Sequence, residues 1–133
     1  MNVKLGVKGH KSTMARFNKA RNSTIDELVR QLDAEAEKVM QEAQVEVPKD
    51  TGALHDTIRR DRTLITKSRG IEVVIKAGGA RAPYALYVHE DLNAYHAPPT
   101  KAKFLEDPFR RSVSGISGRL VVKINAALKK AGF

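Results

Sequence analysis

The sequence predicts an α+β domain: two long amphipathic helices packed on a small antiparallel sheet that contains a β-hairpin, plus a short helix. Three observations carry this. Ile25, Leu28, Leu32, Ala36, Val39, Ala43 and Val47 recur at three- and four-residue steps, the spacing of one helical stripe. Ile71, Val73 and Ile75 share one face of a strand. A second helical stripe runs through Leu105, Phe109, Val113, Ile116, Leu120, Ile124 and Leu128.

Taken in order, residues 3–7 alternate weakly and suit a short strand, and residues 9–22 read as a mobile basic arm or an irregular lead-in to a helix. The division is therefore a basic N-terminal arm, 1–22, and a single α+β domain, 23–133. Ser23 is placed to cap the first long helix, with Asp26 completing a box-like start and acids in the first turn suiting the helix dipole. Pro48 ends it by biasing Val47 away from helical geometry. About 23 residues at 1.5 Å each make a rod about 34 Å long. Residues 52–60 fit a short helix or the lead into a strand. Residues 62–67 and 71–77 are the arms of the hairpin, with Lys67-Ser68-Arg69-Gly70 as its turn, and Gly78-Gly79 breaks the chain. Residues 83–90 suit a short helix with Pro83 in its first turn, and 91–103 a loop holding Pro98-Pro99. Asp107 and Pro108 fit the cap and first position of the last helix. Gly115 and Gly118 inside its stripe cost about 1 kcal/mol each relative to Ala, which marks close packing or a kink, and Gly132 stands where a C-terminal stop belongs.

A chain of 133 residues suits one domain. With seven aromatics and no Trp, the core must rest on Leu, Ile, Val and Ala. The absence of Cys excludes a disulfide framework and a thiolate metal site. No apolar run approaches the ~18 residues of a membrane span, so no membrane partner is expected, and the basic residues 1–22 lack the apolar stretch of a secretory signal. The net charge of +9 is uneven. Residues 1–22 hold six Lys or Arg and no acid, 24–47 hold seven acids against Arg30 and Lys38, and 101–133 hold eight bases against Glu106 and Asp107. Such a pattern fits nucleic-acid binding or complementarity between copies of the chain. A solvated or partner-facing surface is the favoured reading, because the aromatics are not interleaved with the bases as a single-strand platform requires.

The string Asp50-Thr51-Gly52-Ala53 matches the active-site tripeptide and following Ala of retroviral-type aspartic proteases. That chemistry needs two Asp sharing a proton, on loops that leave a β-sheet. Here the string follows Val47-Pro48-Lys49 at a helix end, and Ile116-Ser117-Gly118-Arg119, the faint echo of a second signature, lies in a helical stripe. The structural alternative is a turn: Asp50 or Thr51 accepts a backbone N–H and caps the following helix, and Gly52 permits the tight bend. Pro48, Asp50, Thr51 and Gly52 are thus assigned as a structural turn, with no catalytic residue. His89, Glu90, Asp91 and His96 resemble metal ligands but match no zinc spacing; a solvated loop with incidental histidines is preferred. Gly78-Gly79 lacks the continuation of a phosphate loop, and Ser112, Ser114 and Ser117 lie near no convincing Ser-His-Asp set. No metal or cofactor is expected.

Three blocks in fixed order bear on function: Val47-Pro48-Lys49-Asp50-Thr51-Gly52-Ala53-Leu54, then Ala82-Pro83-Tyr84-Ala85-Leu86-Tyr87-Val88-His89-Glu90, then Ala102-Lys103-Phe104-Leu105-Glu106-Asp107-Pro108. In order and spacing, over roughly residues 20–130, the chain resembles the gene-product-ten-like tail components of HK-type lambdoid phages, a family of neck or head–tail joining proteins. Family members often read Glu-Phe-Gly-Thr after the Tyr-Val pair, where this chain reads His89-Glu90-Asp91-Leu92, which leaves the shape of the next loop open.

The resemblance implies a non-enzymatic virion structural protein, found in the host cytoplasm during assembly. It implies a ring of six or twelve copies between portal vertex and tail, touching other connector, tail-terminator or tail-tube proteins. The alternatives are a minor capsid or tail-proximal structural protein, then a basic DNA-binding module, and last the protease. A closed ring uses two different surfaces of each copy; the acidic helix and the basic ends offer complementary sides. The arm and the 91–103 loop are expected to order against neighbours, with Lys8, Lys11, Arg16, Asn93, Tyr95, His96, Pro98 and Pro99 as candidate inter-subunit contacts. Weak, sequence-independent contact with exiting DNA is a further possibility for the basic residues.

Overall fold

The computed structural model describes residues 10–61, 64–65 and 70–133. Its elements are α1 (His10–Glu46), α2 (Ala53–Thr57), β1 (Arg59–Arg60), β2 (Leu64–Ile65), β3 (Ile71–Glu72), β4 (Ile75–Lys76), α3 (Ala85–Glu90), α4 (Glu106–Val113) and α5 (Ile116–Lys130). The fold is mixed α+β and mostly helical. The expected strand at 3–7 and most of the hairpin turn lie outside the described residues.

α1 is continuous from His10 over 37 residues, about 55 Å at 1.5 Å per residue. This corrects two expectations. Residues 10–22 are helix rather than an arm or irregular lead-in, and Ser23 is an interior residue, not a cap. The reason is tertiary. The first turns of α1 lie along the end of α5: Arg16 donates to the Gly132 carbonyl at 2.7 Å, Phe17 meets the Phe133 ring at 5.4 Å, and Ala20 is buried. The helix stops at Glu46, before Pro48, as predicted.

β1 pairs antiparallel with β4 (Arg59 opposite Lys76, Arg60 opposite Ile75) and β2 with β3 (Leu64 opposite Glu72, Ile65 opposite Ile71). Asp61 N–H donates to the Val74 carbonyl at 2.7 Å, extending the first ladder. The two ladders differ in register by one residue, so the predicted continuous hairpin is divided into two short pairs. Arg60 ties this hairpin to α1 by donating to the Asp33 carbonyl at 2.9 Å. The chief partner of α1 is α5, with α4 and β1 behind it. Helix-on-helix packing therefore dominates, where both helices were expected to pack on the sheet.

The last helical stripe is broken at Ser114-Gly115. Gly115 has φ 77°, a left-handed conformation that costs a residue with a Cβ about 1–2 kcal/mol. Gly115 marks a kink in the sequence, and the structure makes it a full break between two helices; the apolar spacing alone does not record it. Gly118 is not a close-packing site: a Cβ there would meet nothing within 4 Å. Arg119 fastens the joint, donating to the Ser112 carbonyl at 2.6 Å and to Glu35 of α1 at 2.6 and 2.9 Å. Asp107 and Pro108 are inside α4 rather than at its cap; Leu105 holds that position without a side-chain cap. Similarly α3 begins at Ala85, after Pro83.

The acids of α1 are largely occupied within the chain. Glu42 and Glu46 receive Arg111, Glu46 also lies near Lys101, and Glu35 receives Arg119 and the Ser112 hydroxyl. The Arg119 guanidinium, with help from Ser112, holds the Glu35 carboxyl below the usual carboxylate range. A carboxyl depressed on folding contributes stability that is complete above its unfolded value of about 4.3 and is lost as pH falls through the folded value. Glu35→Gln is therefore expected to flatten the acid side of the stability curve, read as urea midpoints measured below about pH 4.5. Parallel acid limbs for variant and parent would show that this pair carries no pH dependence.

Candidate functional site

The three blocks quoted above meet in one place. Val47, Leu54, Ile58, Ala82, Ala85 and Phe104 form the buried core, with Ala43 below them. Phe104 and Val47 are among the largest fully buried side chains. Each block thus supplies an anchor to a common centre at the end of α1, and its remaining residues are displayed around that centre.

The first block makes the predicted turn by a different device. Gly52, at φ 84°, is the residue that precedes α2, and no side chain caps the helix. Thr51 Oγ1 accepts weakly from Ala53 N–H at 3.4 Å, while Asp50 is exposed. Capping by Asp50 is corrected because a glycine holds the cap position. α2 then buries Thr57, whose hydroxyl donates to the Leu54 carbonyl at 2.7 Å and accepts from Gly78 N–H at 2.9 Å.

The second and third blocks are joined by His89 and Lys103. His89 is a member of α3, and its side chain is largely buried, not part of a solvated loop. Its ring meets Phe104 edge-on at 5.0 Å. Nε2 accepts from Glu106 N–H at 3.3 Å, and Nδ1 lies 2.7 Å from Glu90 Oε1. That pairing places the ring proton on Nδ1, aimed at the carboxylate. Lys103 takes a left-handed backbone, φ 58°, and its N–H donates to the His89 carbonyl at 2.8 Å. Its ammonium bridges Glu90 and Glu106. The Lys103 contact pulls both carboxyls below the usual range, and the Glu90 contact raises the Lys103 ammonium.

The ligand atoms of His89, Glu90 and Glu106 lie within 4.8 Å of one another, a spacing a metal ion could use. The Lys103 ammonium already supplies the positive charge between the two carboxylates, so the arrangement is a clasp between α3 and α4. Spacing rules give no hint of it, because a lysine rather than a fourth acid or histidine completes the set.

The 91–103 loop carries the remaining predicted contacts. Asp91 Oδ1 accepts from Asn93 and Ala94 N–H at 3.0 and 3.2 Å, an Asx turn. Leu92 and Tyr95 project into solvent, Tyr95 being 86% exposed. Pro98-Pro99 is cis and exposed. His96 faces the first block across a cleft of about 500 Å³ that Pro48, Gly52, Tyr84 and Val88 also line. The structure therefore brings the assigned turn (Pro48, Asp50, Thr51, Gly52) and His96 together, with Asn93, Tyr95, Pro98 and Pro99 on the same loop as His96. Lys11 and Arg16 are far along α1, with Arg16 held over the Phe133 ring at 5.1 Å. Lys8 lies outside the described residues.

A second feature was missed from sequence. An apolar groove of about 520 Å³ runs between α1 (Leu32, Ala36, Val39), the β3–β4 segment (Val73, Ile75) and α4 (Phe109, Val113). Each stripe was legible; that the three stop short of closing on one another was not, since periodicity gives a face and not its distance from the next element. Exposed Leu86, Tyr87, Leu92 and Tyr95 stand on the α3–loop side. No family model, curated protein or solved structure matches this chain.

Proposed function

We propose that this protein is a structural component of the neck of a tailed bacteriophage, forming a ring that joins the head vertex to the tail and has no enzymatic role. The observation that carries the proposal is the convergence of the three blocks on one core through Val47, Leu54, Ala82, Ala85 and Phe104. The residues behind the resemblance are thus one packed unit. Two unlike apolar surfaces add support, the exposed α3–loop side with Leu92 and Tyr95 and the groove beside α4. A head-to-tail ring needs two different patches on each copy. The electrostatic part of the expectation is revised: several α1 acids are engaged by Arg111, Arg119 and Lys101 of the same chain, so ring contacts rest on apolar surfaces. The proposed setting is the virion neck, among connector, tail-terminator or tail-tube proteins, after assembly in the host cytoplasm.

Cryo-electron microscopy of assembled particles tests this. Density for this fold is expected in six or twelve copies around the axis between portal and tail tube. Its absence from the particles, or its placement on the capsid surface away from the axis, overturns the neck reading; the latter would favour the minor-capsid alternative.

A further inference from the structure

Much of the positive charge left over after intramolecular pairing lies at one end of the molecule, although Lys38, Lys49 and Arg81 are exposed elsewhere. Residues 10–25 contain Lys11, Arg16, Lys19 and Arg21 and no acid; residues 108–133 contain six Lys or Arg and no acid. The structure lays the end of the second segment against the first, with Arg16 donating to Gly132 and Phe17 against Phe133. Three of the six bases are spent: Arg111 on Glu42 and Glu46, Arg119 on Glu35, and Arg110 on Glu106. Lys123 is near enough to Glu27 to lower that carboxyl, after Arg30 and Gln31. Lys11, Lys19, Arg21, Lys129 and Lys130 have no acid partner among the described residues, and all five are exposed.

Their placement is directional. At about 100° per residue, Lys19 and Arg21 fall about 80° to either side of Lys11, and the buried Ala20 points the opposite way. The outer face of α1 is therefore basic, and the last turn of α5, whose end meets the first turns of α1, adds Lys129 and Lys130. We infer that this two-helix end binds the phosphate backbone of duplex nucleic acid without reading its sequence. A second copy is a poor partner, because its corresponding end has the same sign and its Glu35, Glu42 and Glu46 are occupied. A lipid surface is a poorer fit too: of the half-exposed Met14, Phe17 and Phe133 at this end, the two phenylalanines pack on each other and Arg16 covers the Phe133 ring. Among the described residues, five exposed cations without an acid partner on two neighbouring helices fit a polyanion of regular charge spacing.

The inference does not depend on the ring reading, since it is measured on the isolated protein. Fluorescence anisotropy with short labelled duplexes of two unrelated sequences should give equal affinities. Five phosphate contacts correspond to a slope near −4.5 in log K against log salt, or roughly a 500-fold loss between 50 and 200 mM. The triple variant Lys19→Gln/Lys129→Gln/Lys130→Gln should bind at least about tenfold more weakly at 100 mM salt, with the slope flattened by between two and three. The triple variant Lys38→Gln/Lys49→Gln/Arg81→Gln removes the same charge elsewhere on the exposed surface and should bind as the parent does. Equal losses in the two triples, affinity indifferent to salt, or tighter binding to phosphatidylserine vesicles than to duplex would each overturn the inference. All six substituted side chains are exposed, so both variants should keep the parent's circular dichroism spectrum.

Discussion

Phe104→Ala is expected to lower the stability of the domain by about 3–5 kcal/mol. Phe104 is 1% exposed and stands where the three blocks meet. Truncation removes the ring from contact with the centre of the core and from the edge of His89 at 5.0 Å. The loss comes from transfer of the ring to water plus the cavity left behind. Folded domains hold about 5–15 kcal/mol in total, so the variant should lose a large part of its urea midpoint or fail to fold. Phe104→Leu fills most of the space and should retain more of the midpoint than the alanine variant. A loss under about 1 kcal/mol in the alanine variant, well below the usual range, would mean that the blocks do not depend on a shared centre.

Gly78→Ala should be the second most damaging change considered, at about 2–5 kcal/mol from backbone strain and overpacking together. Gly78 has φ +88°, and an added Cβ would lie 2.6 Å from the Ala85 Cβ and 3.1 Å from the Ala82 carbonyl oxygen. Neither neighbour can step aside, since one begins α3 and the other is backbone. The shift needed would also disturb the Gly78 N–H bond to the buried Thr57 hydroxyl. Gly118→Ala supplies the contrast. That helical position has open space around it, so the substitution should stabilise by about 0.5–1 kcal/mol. Urea denaturation of the two variants should therefore move in opposite directions. Equal, small shifts in both would mean that α3 does not pack on Gly78.

The sequence made some of this architecture legible and concealed the rest for physical reasons. Pro48 stops α1 because proline constrains the residue before it, a local effect that needs no tertiary knowledge. The 71–77 segment was legible as extended for a similar reason, although it holds two short strands, Ile71–Glu72 and Ile75–Lys76, and the change of register between them depends on both arms. The start of α1 was misread because Ser23 and Asp26 form a credible cap while residues 10–22 have little apolar periodicity. Those residues are helical in contact with the end of α5, a partner more than a hundred residues away. The break at Gly115 was legible as a kink from the glycine itself, although the spacing of the stripe survives it. His89 was read as incidental, yet it joins α3 to Glu106 and Phe104. Nothing in a linear spacing indicates that Lys103 bridges that cluster. Of the assigned positions, the turn from Pro48 to Gly52 was legible as a turn, whereas the apolar groove could be seen only with the elements in place.

The pairing of α1 with α5 also sets the order of events during synthesis. Glu35 and Arg119 are 84 residues apart, and Arg16 and Gly132 are 116 apart. At about 5–20 residues per second, α1 leaves the ribosome roughly 4–23 s before the residues that cover it. An isolated helix is marginal in water even at this length when its apolar stripe has no partner. During that wait Ala36 and Val39, buried in the finished molecule, are open to neighbouring nascent chains on the same message. The acid-free turns at the start of α1 give all of those chains a segment of the same charge, which opposes their clustering until the covering helix arrives.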